Sequence, residues 1–224
     1  MGILWGLIAA ANWGFADFCA RFATVRIGNF RSFLYMQLVG LLGLSLWLLI
    51  QPPPAWDWFY VLVAAGLGVS NSLAGLAFYR AFEVGLLSVV SPIAASYGAI
   101  SLVLGLLSGQ SISLSEISGL ILTILGVALA STPLTFASRA IDEPGSKAGP
   151  SRGIGFALLA SLFFGVTFWG LGFVTPHLGG VLPVWESRLI APLVVLVLAF
   201  PAGQSLRPPT RVNLNVSSTR SSET

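Results

Sequence analysis

GLAFYRAFEVGLLSVVSPIAASYGAISLVLGLLSGQSISLSEISGLILTILG, residues 75–126, decides how the rest of the chain is read. Two long apolar runs flank the short turn Glu83-Val84-Gly85, and a third follows the polar link Gln110–Ser115. Pro92 lies inside the middle run, where it removes a backbone donor and is expected to kink or loosen a helix. Small residues recur on both sides of the turn: Gly75, Ala77 and Ala81, then Ala94, Ala95, Ser96, Gly98 and Gly105. Such residues let helices approach closely in lipid, so the stretch predicts packed, adjustable membrane helices.

The phrase AFYRAFEVGLLSVVSPIAA, the Gly109-Gln110 step and the Gly119…Gly126-Val127 ending resemble the EamA repeat of the drug/metabolite transporter superfamily. The resemblance spreads over roughly fifty residues. One position departs from it: the family usually has an acidic residue where this chain has Gln110. The resemblance implies an all-helical transporter in which the third and fourth helices of each repeat line a central cavity.

Composition reaches the same class independently. Hydrophobic residues make up 55% of 224 and charged residues only 8%, against about 25% charged in ordinary soluble domains. So few charges cannot cover a water-soluble fold of this size. An all-α polytopic membrane bundle of about seven transmembrane helices is expected, over 3–23, 30–50, 58–80, 86–108, 114–132, 153–174 and 181–202. Asp17 and Arg21 lie where a signal cleavage region should be small and neutral, so the first span reads as a retained helix.

Ten of the eleven Lys and Arg residues fall in or beside alternate connections. They are Arg21, Arg26 and Arg31; Arg80; Arg139, Lys147 and Arg152; and Arg207, Arg211 and Arg220. The positive-inside rule then predicts an external N-terminus and a cytoplasmic tail, in the cell membrane.

The chain also repeats itself. At a constant offset of 151, Gly2 matches Gly153, and Leu7/Leu158, Gly14/Gly165, Thr24/Thr175 and Gly28/Gly179 coincide without a gap. The first copy holds five spans, an odd number, so the second enters the membrane in the opposite sense. Inverted repeats of this kind are the architecture of many secondary transporters, with substrate near the midplane between the halves. The expected organisation is a first EamA repeat over 1–132, a cytoplasmic linker over 133–152, a partial second repeat over 153–203, and a disordered cytoplasmic tail over 204–224.

Two function hypotheses follow. The first is a secondary transporter of small organic metabolites or drugs by alternating access, impaired as a lone chain because its second repeat is incomplete. The second is a non-transporting membrane partner or inactive fragment of a transporter. Expected partners are the lipid bilayer, a small-molecule substrate, and a homodimer or other chain supplying the missing helices. No Cys/His cluster, Gly-rich phosphate loop or nucleophile–base pair is recognisable, so no enzyme, cofactor, metal site or nucleic-acid partner is expected.

Eight residues are candidates for the substrate cavity: Asn12, Asp17, Asn71, Ser91, Pro92, Tyr97, Glu186 and Arg188. The resemblance nominates Asn71, Ser91, Pro92 and Tyr97, and matches Arg188 to an arginine often found in this helix of the repeat. Ionisable groups inside a membrane are costly and tend to be functional, which nominates Asp17 as a proton-coupling or substrate-contacting carboxylate. The bland alternative pairs it with Arg21 at i, i+4. Asn12 either lines a polar cavity or hydrogen-bonds a neighbouring helix. Glu186 and Arg188, at i, i+2, point to different helix faces, so each needs a separate partner. Arg80 and Glu83 read as an interfacial pair, and Tyr79, Trp185 and Trp47 as members of the interfacial aromatic belt.

Overall fold

The computed structural model describes residues 2–51, 56–111, 113–131 and 153–201. The described chain is helical, with no strand: α1 Gly2–Ile27, α2 Asn29–Leu49, α3 Trp58–Val84, α4 Leu87–Ala95, α5 Tyr97–Leu107, α6 Leu114–Ser131, α7 Ile154–Leu178 and α8 Leu182–Ala199. Five stretches are long and apolar enough to cross a membrane: α2, α3, the run Leu87–Leu107, α7 and α8. The other two expected crossings coincide with α1, which carries Asp17, Arg21 and Arg26, and α6, whose apolar segment is Ile117–Gly126. The expected linker and tail lie outside the described residues.

α3 is the hub, touching α1, α2, α4, α7 and α8. Asp57 caps its start by accepting from Phe59 N–H at 3.0 Å. Between Ala74 and Phe82 every residue except Arg80 is buried. Helices gain little from hydrophobicity when lipid is as apolar as they are, so close packing of small residues must hold them together. Ala81, Phe82, Ala94 and Ala157 join α3 to α4 and α7, while Phe33, Leu76, Ala191 and Val195 join it to α2 and α8. Along the α7 seam, Leu67 packs where a Cβ on Gly170 would come within 2.4 Å.

The α3–α4 turn is tighter than expected. α3 continues through the Arg80–Glu83 pair, whose 2.7 Å contact is made within the helix, and stops at Gly85, whose N–H donates to Ala81 O. The interruption of the next run also falls elsewhere. It lies at Ser96, four residues beyond Pro92. Ser96 Oγ donates to Ile93 O at 2.7 Å and lies 2.9 Å from Ser161 Oγ of α7. Ser96 N–H also donates to Ile93 O, at 3.2 Å, so the turn there closes over three residues rather than four.

The offset-matched glycines have matching backbones. Gly28 ends α1 at φ 87°, ψ 159°, and Gly179 ends α7 at φ 74°, ψ 175°. Each N–H donates at 2.9 Å to a matched threonine carbonyl, Thr24 and Thr175. This conformation is nearly exclusive to glycine. A Cβ at either position would meet nothing within 4 Å, so backbone strain alone sets the penalty. Gly28→Ala and Gly179→Ala should each cost about 1–3 kcal/mol. An unfolding midpoint unchanged by either substitution would contradict this.

Candidate functional site

A cavity of about 920 Å³ opens between α1, α2, α3, α7 and α8. The positions on α3 that line it, Ala64, Gly68, Asn71, Gly75 and Tyr79 among them, recur every three or four residues and so form one face. Gly75 leaves room for Phe33 of α2, whose ring would lie 2.2 Å from a Cβ there. Phe33, Phe78, Phe164 and Phe168 add aromatic surface to a largely apolar wall.

Four of the eight sequence candidates line this space: Asn12, Asp17, Asn71 and Arg188. Asn71 Nδ2 donates to Ser187 Oγ at 3.0 Å and so ties α3 to α8. Asn12 donates to Ile8 O of its own helix. Asp17 accepts a hydrogen bond across the bundle, from Ser91 Oγ of α4 at 2.5 Å. Ser91 therefore stands behind the carboxylate. Pro92 is in α4, off the wall. Tyr97 stacks on the outside of the wall, its ring 4.8 Å from that of Phe168. Glu186 is buried but faces away from the cavity, as its i, i+2 spacing from Arg188 requires.

Arg188 reaches across to α2. Its Nη1 donates to Gln37 Oε1 at 3.0 Å and lies 3.4 Å from Met36 Sδ. A Cβ on Gly40 would sit 2.2 Å from the same nitrogen, so the guanidinium occupies space that only glycine leaves open. Nε is buried with no hydrogen-bond partner among the described residues. Gln37 and Arg188 are themselves separated by 151 residues, the offset at which the two expected copies align.

Tyr79, Gln37 and Ser187 were not among the sequence candidates, yet all three line the cavity. Tyr79 is no interfacial aromatic: it is 7% exposed, its ring edge-on to Phe33 at 5.4 Å. Extending the Asn71 stripe by two turns reaches it, so the signal was present. Gln37 is an amide inside a span, an expensive group that also marks itself. Trp185 likewise turns inward and donates to Ser45 Oγ of α2 at 2.9 Å.

These features define a polytopic helical membrane protein with a central, mainly apolar cavity carrying a few convergent polar groups. Residues 1–132 match the model of the EamA-like transporter family. The chain belongs to that family of membrane transporters. Comparisons with curated proteins and with solved structures return no match.

Proposed function

We propose that the chain is a secondary transporter that moves a small organic metabolite or drug by alternating access between two inverted halves. The observation that carries this reading is the cavity, walled by helices of both sequence copies. The Gln37–Arg188 contact adds to it. Residues equivalent under a two-fold relation touch each other only near the axis, so a contact at the expected repeat offset fits an inverted pair of halves meeting beside the cavity. Substrate bound there would be reachable from either side as the halves rock.

The test is reconstitution of the purified chain, with uptake of amino acids, nucleobases and cationic dyes measured beside its oligomeric state. Saturable uptake above empty vesicles supports the reading, and its absence across the panel at every oligomeric state rejects it. Uptake by a dimer alone assigns part of the wall to a second copy. The charge bias adds an orientation in the cell membrane, with the N-terminus outside. A reporter fused after Ser138 should be cytoplasmic and one fused after Gly109 external; the reverse pattern overturns that orientation.

A further inference from the structure

We propose that the turn between α1 and α2 holds a phosphate group, at a site separate from the central cavity. The segment ARFATVRIGNFRS, Ala20 to Ser32, carries three arginines, and no acidic residue occurs between Asp17 and Asp57. Gly28 begins α2 without a side chain, so the first amides of this 21-residue helix have no capping acceptor. Such amides, reinforced by the helix dipole, favour an anion. A Cβ on Gly28 would meet nothing within 4 Å, which leaves open space beside the turn.

The side chains around the turn independently lack partners. Asn29 and Ser32, 8% and 5% exposed, stand at i, i+3 on one face of the first turn of α2. Helical side chains lean toward the N-terminus, so Ser32 Oγ is directed back over that turn. It is buried without a hydrogen-bond partner, as is Thr24 Oγ1, one turn before Gly28. These are the two buried hydroxyls left unpartnered among the described residues, and both flank this turn. The Asn29 side chain makes no hydrogen bond among the described residues either. Arg26 is exposed, its guanidinium 3.7 Å from the centre of the Phe22 ring. A cation would find no carboxylate here. Amides, hydroxyls and a guanidinium together suit an oxyanion with several acceptor oxygens, as phosphate is. Of these residues only Ser32 borders the central cavity.

A lipid headgroup and free phosphate present the same chemistry, and the experiment separates them. The full chain, purified in a phosphate-free maltoside detergent, is titrated calorimetrically with dioctanoyl phosphatidylglycerol, inorganic phosphate and dioctanoylglycerol. At least one of the two phosphates should bind saturably, at least about tenfold more tightly than dioctanoylglycerol. Binding of phosphatidylglycerol alone assigns the site to a headgroup, and binding of inorganic phosphate assigns it to the free ion. Asn29→Asp should weaken that binding about tenfold or more without lowering the unfolding midpoint, since a carboxylate suits a helix start but repels phosphate. Ser32→Ala should raise the midpoint without ligand, because an orphaned hydroxyl is removed, and should weaken binding. Arg80→Gln removes a charge already paired with Glu83 and should leave binding unchanged. Binding of neither phosphate, equal binding of dioctanoylglycerol, undiminished binding by folded Asn29→Asp, or an equal loss in Arg80→Gln overturns the proposal. If a variant does not fold, the three ligands compared on the wild-type chain decide by themselves. Uptake plays no part in these measurements, so their failure leaves the transporter reading standing.

Discussion

Gly75→Leu should yield no folded protein, and Gly75→Ala a protein that unfolds at a distinctly lower temperature. A single Cβ at this position would lie 2.2 Å from Phe33 Cε2 and 2.6 Å from Cζ, well inside any permitted contact. Phe33 cannot simply move outward, since it is 2% exposed and braced by Tyr79, Leu76 and Ala191. Overpacking of a filled core costs about 1–3 kcal/mol per forced adjustment, so alanine should sit in that range and leucine beyond it. The open direction for the ring is the cavity itself, which makes a partly folded escape visible as lost ligand binding. Phe33→Leu combined with Gly75→Ala should recover at least half of the lost stability, because the two substitutions share one contact. Thermal unfolding monitored by size-exclusion chromatography measures all of these. Wild-type stability in Gly75→Ala would show that α2 and α3 do not approach as closely as described.

Arg188→Leu should abolish transport while leaving the bundle almost as stable as before. The two effects separate because a charge held in a cavity by neutral partners contributes little net stability. Its desolvation offsets its hydrogen bonds, and an apolar replacement of similar volume is often neutral or stabilising. The remaining loss is Gln37 Oε1, left without its donor, at about 1–3 kcal/mol or less if water reaches it. For a substrate with an anionic group, the loss of a charge-assisted contact of about 1.5–3 kcal/mol corresponds to roughly ten- to more than a hundredfold in affinity. Gln37→Leu should fall between, since the charge stays but its orientation loosens. Undiminished uptake by a folded Arg188→Leu protein would remove Arg188 from the transport site.

Much of the fold was legible in the sequence because lipid imposes simple rules. A stretch of chain crossing hydrocarbon must be apolar, long and helical, and each expected span coincides with a helix of α1–α8, except that the span 86–108 is divided into α4 and α5. Boundaries moved where local hydrogen bonds decided them. α1 runs on to Ile27, with Gly28 making the turn, and the middle run breaks at Ser96, where N–H bonds Ile93 O three residues back.

The candidate site was legible only as a set of residue types. By itself the sequence determined that Asp17, Asn71 and Arg188 were polar groups within membrane helices, and that groups of this kind must find partners. Which partners they take was decided by the tertiary structure. Asp17 accepts a hydrogen bond from Ser91, which packing brings across from α4. Arg188 meets Gln37, 151 residues away, because α8 packs on α2 and Gly40 leaves the guanidinium a place to lie. Tyr79 faces the cavity rather than the membrane surface because α3 is enclosed on several sides by its neighbours. Helical periodicity sets which residues share a face, but only the packing of one helix on another sets what that face meets.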